Sequence, residues 1–295
     1  MGYQDHALFL RKIERNLRLL ELEYASRPPD GWYFYQRGGA LFDLGRFAEA
    51  IVSLHLALPL AAADGAPRIH ALLAEAYAHE QPTLDDALAE VQRGRARFPS
   101  EPELLVLEAQ ILGAMGEFAA MDASLTASLE LKHQSGPFAI WDATVGLRSR
   151  HLLARMAFLD RRIDVAEAHL KAILAERPAF GPAVLTLGEC LLAKGDEVAF
   201  DTLRAGIPDA PETATGQAVM GAMRAVHRAD LDAALAILDA GLDRDPESAF
   251  LAKARVLALV RAGRAEARSA LESLLRAHPL DLEARAVARR TGALA

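Results

Sequence analysis

Cysteine is nearly absent from these 295 residues, Cys190 being the only one. A disulfide within the chain is therefore excluded, and a reducing, cytoplasmic setting is the expectation. Cys190 sits in the apolar run LTLGECLLA with no activating base beside it, so it reads as a core residue and not a nucleophile. Aromatic residues are scarce at 6%, while alanine is plentiful, a balance that suits closely crossing helices. An excess of basic charge is also lacking. The net charge is −7, which argues against a nucleic-acid surface. No apolar run reaches the roughly 18 residues that a membrane span requires. The opening MGYQDHALFLRK puts acid and base ahead of any apolar stretch, so no signal peptide is expected. The nine histidines show no HExxH or paired-ligand spacing, and neither a G-x-S-x-G elbow nor a phosphate loop is visible. These gaps leave no metal, cofactor or catalytic residue to assign.

What is present is periodicity. Residues 147–178, LRSRHLLARMAFLDRRIDVAEAHLKAILAERP, read as two helices and a tight turn. Ala154 and Ala157 are the small residues of the first helix, and Asp160 to Asp164 make the turn. Ala166, Leu170 and Ile173 mark one face of the second helix, and Pro178 ends it. The unit is about 34 residues long and it recurs. The second-helix anchors are Ala50, Ala87, Met121, Ala166, Phe200, Ala234 and Ala267. Their spacing stays near 34 except for an excess of about eleven at 134–146, QSGPFAIWDATVG. Insertions in such arrays map to loops on one face, often the binding face.

A helix from His6 to about Ser26, capped by Asp5, precedes the first unit. Gly38 is the small residue where the first hairpin closes, and Gly45 begins its turn. The predicted organisation is an N-terminal amphipathic helix at 1–30, repeats one to three at 31–135 and an insertion loop at 136–146. Repeats four to seven follow at 147–281, then a polar capping helix and tail at 282–295. Hairpins of this length that cannot bury their apolar faces alone must stack. The fold class expected is all-α, about seven hairpins and sixteen helices in a right-handed superhelical solenoid, similar to tetratricopeptide repeat proteins.

A narrower likeness rests on three segments. They are GYQDHALFLRKIERNLRLLELEYASRPPDG, DDALAEVQRGRARFPSEPELLVLEAQILGAMGEF and GLRSRHLLARMAFLDRRIDVAEAHLKAILAERPAFGPAVLTLGECLLAKGD. Their order resembles the linker helix and repeat region that follow the catalytic domain in bacterial family 2 glycosyltransferases. Such transferases bind a nucleotide-sugar in a separate α/β domain with a metal-binding Asp-x-Asp, and no such domain is found here. Asp230-Leu231-Asp232 and Asp243-Arg244-Asp245 lie on or beside helices, where capping and solvated charge are the plainer readings. The resemblance implies a detached, truncated or separately encoded accessory part, not the enzyme.

First helices line the groove of a repeat array, where extended peptides lie. Arg148, His151 and Arg155 are three and four apart, so one helix face carries all three and could grip a carboxylate or phosphate. Trp141 in the insertion could fold over such a ligand. The alternative is that both arginines are solvated or paired with acids of a neighbouring repeat. Trp32, Tyr35 and Phe42 form a second, aromatic candidate, with packing against the N-terminal helix as its rival. Met220, Met223 and His227 form a third set, for which core packing is the stronger reading. The function expected is non-catalytic binding of a protein or peptide, beside bacterial glycosyl transfer if the resemblance holds. A self-associating adaptor, a homodimer through the N-terminal helix or end repeats, is the alternative.

Overall fold

The computed structural model describes residues 6–25, 28–62, 65–80, 83–131, 139–208 and 213–293, with side chains given for all of these but 6–7 and 139–145. Sixteen α-helices are found among them and no strand, as the periodicity predicts. The chain divides into two compact units, Met1–Met115 and Gly116–Ala295. Asp5, expected to cap the first helix, lies outside the described residues.

The first unit holds α1 (His6–Tyr24), α2 (Gly31–Asp43), α3 (Phe47–Ala57), α4 (Ala66–Glu80), α5 (Asp85–Arg97) and α6 (Pro102–Met115). Each helix packs against the next, and α4 also touches α6. Leu17 of α1 joins Leu41 and Ala50 in one apolar cluster, and Leu54, Ala57, Ile69 and Leu73 form another. Asp30 caps α2 by accepting from the Tyr33 N–H at 2.8 Å, and the Tyr24 hydroxyl donates to it at 3.1 Å. That cap ties the end of α1 to the start of the first hairpin.

The second unit holds α7 (Phe118–Glu130), α8 (Ala139–Leu159), α9 (Ile163–Glu176), α10 (Gly181–Ala193), α11 (Glu197–Ala205) and α12 (Ala214–His227). It continues through α13 (Leu231–Arg244), α14 (Ala249–Arg261), α15 (Ala267–Ala277) and α16 (Leu282–Thr291). Pairs α8/α9, α10/α11, α12/α13 and α14/α15 are antiparallel hairpins. Helices α8, α10, α12, α14 and α16 contact one another in succession and form one layer. Asp196, Asp230, Ser248 and Asp281 cap α11, α13, α14 and α16 with their side chains, so one aspartate of the first Asp-x-Asp is a helix cap.

The repeat register is visible in the backbone. Arg161, Gly195, Ala229 and Gly263, each 34 residues from the next, occupy the left-handed region at φ 63°, 75°, 60° and 61°. Each is the turn between the two helices of its hairpin. The predicted anchors are buried in both units. Ala50, Ala87, Met121, Ala166, Phe200 and Ala234 have no exposed surface, and Ala267 retains 9%.

One expectation needs correction. Residues 139–146 belong to the expected insertion loop but are the opening turns of α8. No proline interrupts AIWDATVG, and a single glycine weakens a helix without ending it. The boundary of the two compact units, Met115/Gly116, falls within residues 101–135, the expected third repeat. The physical reason is partner choice: α6 packs on α4 and α5, whereas α7 packs on α8.

Candidate functional site

The 34-residue register brings chemically distinct side chains to one place in the second unit. A cavity of about 230 Å³ opens on the layer of first helices. Six residues before each left-handed turn residue stand Arg155, Glu189, Met223 and Leu257, and all four line it. Ten residues before stand His151, Leu185, Val219 and Lys253, and these line it too. Two equivalent columns of the repeat therefore form the wall. The turn and first residues of α16 complete it with His278, Asp281 and Glu283, and Phe250 stands at the edge with 52% of its surface exposed.

The charged side chains form one connected cluster. Arg155 donates to Glu189 and, at 2.5 Å, to Glu283. Lys253 lies 2.8 Å from Asp281 and 3.3 Å from Glu283. Burial works against the positive charge of Arg155, but Glu189, Glu283 and Asp281 outweigh it and hold the guanidinium protonated. Burial, and after it the neighbouring Glu283, raise Glu189 above the usual carboxylate range, and Arg155 and Lys253 offset this only in part. Burial also works against Glu283, yet two cations touch it and its value falls. His151 places Nε2 3.1 Å from the Thr186 hydroxyl, on the next first helix. Burial, and then the charge of Arg155, push this imidazole down to about 4, so it is neutral near pH 7.

Of the first candidate set, His151 and Arg155 meet in this cavity, while Arg148 is exposed and outside its lining. The neighbouring Arg150 pairs with Glu176 at 3.0 Å. Trp141 falls in α8, with its side chain outside the described residues. In the aromatic set, Trp32 is 55% exposed, but Tyr35 packs on the Leu54 cluster and Phe42 on the Leu41 cluster. Phe42 further meets Phe47 and His79 edge-on, with ring centres 5.3 and 5.8 Å away. In the third set, Met220 is buried against Gly188, Met223 lines the cavity, and His227 lies 3.9 Å from Glu197.

Sequence reasoning missed Glu189, Lys253, Asp281 and Glu283. The first two were within its reach, because each stands one or more whole repeats from a residue already singled out. Cys190 is buried, and its thiol is pushed up to about 12 by burial and then by the adjoining Glu189. In the first unit, buried His70 places Nδ1 2.6 Å from Glu90, which Arg93 also holds. Its Nε2 has no hydrogen-bond partner and no access to solvent, which leaves the pair structural.

Among the described residues, no group of three histidine, cysteine or carboxylate side chains is placed to hold a metal ion, and no helix is long and apolar enough to cross a membrane. No family model matches the chain, and no curated protein matches it significantly. Solved structures do. A tetratricopeptide repeat protein from Parabacteroides merdae aligns with a TM-score of 0.61 at 14% identity, covering 85% of this chain and 92% of its own. The quorum sensor NprR from B. thuringiensis, in its apo form, aligns with a TM-score of 0.64 at 13% identity, covering 90% and 82%. Yeast Tom70 gives 0.58 at 14% identity over 98% of this chain, which spans 62% of that protein. The class defined by this likeness and by the stacked hairpins is the tetratricopeptide-like α-α solenoid. At such identities the likeness is one of fold.

Proposed function

We propose that this chain is a non-catalytic repeat scaffold that seats a segment of a partner protein in the cavity of its second unit. The observation that carries this reading is the lining itself. Four successive first helices contribute equivalent positions to a single opening whose walls are largely apolar and carry one cluster of charged side chains. Apolar walls with a few convergent polar groups are the usual make-up of a recognition site. The narrower role, an accessory to bacterial glycosyl transfer, rests on the three resembling sequence segments alone. To test the scaffold reading, a photo-crosslinking amino acid is placed at Phe250 or, as a control, at Val198 on α11, which is 79% exposed. One partner protein should be captured from native extracts at Phe250 and not at Val198. Equal capture at both positions, or none, would end this reading.

A self-associating adaptor is the second reading. Leu19 and Leu22 on α1 are exposed, as is nearby Trp32, and they offer apolar surface for another copy. Light scattering on the chain and on a Leu19→Glu/Leu22→Glu variant decides it. A dimer that the variant dissociates supports it, and a monomer in both removes it.

A further inference from the structure

The cavity has a chemical bias that narrows what it can hold. Its charged cluster carries three carboxylates, Glu189, Asp281 and Glu283, against two cations, Arg155 and Lys253. Both cations are already committed. Arg155 uses its two terminal nitrogens on Glu189 and Glu283, and the Lys253 ammonium is shared between Asp281 and Glu283. An incoming anion would have to displace internal carboxylates and would meet an uncompensated negative charge. An incoming cation meets no such obstacle. His151 contributes no charge near pH 7, because burial, and after it the charge of Arg155, keeps it neutral. The rest of the lining includes Leu185, Val219, Met223, Phe250 and Leu257, which suit an apolar side chain.

We propose that the cavity recognises a basic side chain, arginine or lysine, adjoining an apolar residue in a peptide segment of the partner. This rests on the scaffold reading above and specifies its ligand. The charged group lies against Glu189 and Asp281, and its apolar neighbour lies against Met223 and Phe250. Arg155, which the sequence offered as a grip for an anion, is instead a positioning residue that holds the carboxylates apart and in place.

The test uses the full chain and labelled pentapeptides with blocked ends. The central residue is arginine, lysine, glutamine or glutamate, flanked by leucine and phenylalanine. Charge-assisted hydrogen bonds at a buried site lead us to expect the basic peptides to bind about tenfold or more tighter than the glutamine peptide, with the glutamate peptide weakest. Asp281→Asn keeps a side-chain cap for α16 while removing a carboxylate, and it should selectively weaken the basic peptides. Glu189→Gln should do the same, and Phe250→Ser should weaken all four. Equal binding regardless of charge, or a preference for glutamate, overturns the basic-residue inference and leaves the scaffold reading intact. No binding by any of the four overturns both. Butylguanidinium binding as tightly as the arginine peptide would make this a small-amine site and overturn the peptide assignment.

Discussion

Arg155 on α8 and Glu283 on α16 lie 128 residues apart in the chain and are joined by a 2.5 Å hydrogen bond. The guanidinium has 11% of its side-chain surface exposed and the carboxylate 12%. This contact, together with the Arg289 guanidinium 5.9 Å from the Phe118 ring, fastens the last helix of the second unit to its first two. The capping helix is therefore polar on one side and an ionic latch on the other, with Leu282, Ala284, Val287 and Ala288 buried beneath it.

Removing one member of a buried ionic cluster strands the others. Arg155→Met should destabilise the second unit by about 3–5 kcal/mol, because Glu189 loses its cation and Glu283 keeps only Lys253. The double substitution Arg155→Met/Glu189→Met should recover part of that loss, since Glu189 no longer strands a charge while Glu283 still lacks its arginine. Urea denaturation of the three proteins measures the coupling. Additive losses would show that Arg155 and Glu189 act independently.

Acid should loosen the same region through His151. Its folded value is about 4, against about 6.5 for an unperturbed imidazole. Between those limits the unfolded chain takes up a proton that the folded one does not, so stability rises with pH across the window. The contribution is complete above pH 6.5 and is lost progressively as pH falls towards 4, by about 2–3 kcal/mol. His151→Gln removes it. The difference between the two proteins' stability curves isolates this residue from His169 and Glu189, which titrate in both. Parallel curves from pH 7 to 4 would refute the assignment.

The repeat was legible because packing imposes it at short range. Ala166 and Ala234 are small where two helices cross, and each is fully buried. The cavity was legible only in part. Arg155 and His151 stood out as charge on a helix face, but Glu189 and Lys253 become visible only when one repeat is laid over the next. Glu283 could not be read at all, since its approach to Arg155 depends on how four successive hairpins stack. Tyr35 and Phe42 had both readings open, groove surface or packing, and in the structure both are half-buried and pack on neighbouring clusters. The helix at 139–146 was hidden by the very break in period that suggested a loop.

Cys190 offers a probe of opening between the fourth and fifth hairpins. It belongs to the cluster of Ala154, Leu170, Leu187 and Phe200, and it has no exposed surface. A thiol pushed up to about 12 and shut away from solvent should resist iodoacetamide at pH 8 in the folded protein. It should be alkylated with a denaturant midpoint matching that of the second unit. Arg155→Met should lower that midpoint. Rapid labelling without denaturant would contradict the packing described for α8, α10 and α11.

The turn series at 161, 195, 229 and 263 yields the cleanest test of the register. Two of its members are glycine, which adopts positive φ without steric cost, and two are Arg161 and Ala229, which do not. A left-handed residue with a Cβ costs about 1–2 kcal/mol, while glycine in its place returns about 0.4–1 kcal/mol to the unfolded state through entropy. Ala229→Gly and Arg161→Gly should therefore each stabilise the second unit by roughly 0.5–1 kcal/mol. Gly195→Ala should destabilise it by a similar amount, and for the backbone reason alone, because an added Cβ there would meet nothing within 4 Å. Opposite signs for Ala229→Gly and Gly195→Ala, read from urea midpoints, are the expected result. The same sign for both would mean that the two turns are not equivalent, and the columns that bring Arg155, Glu189, Met223 and Leu257 to one cavity would lose their common frame.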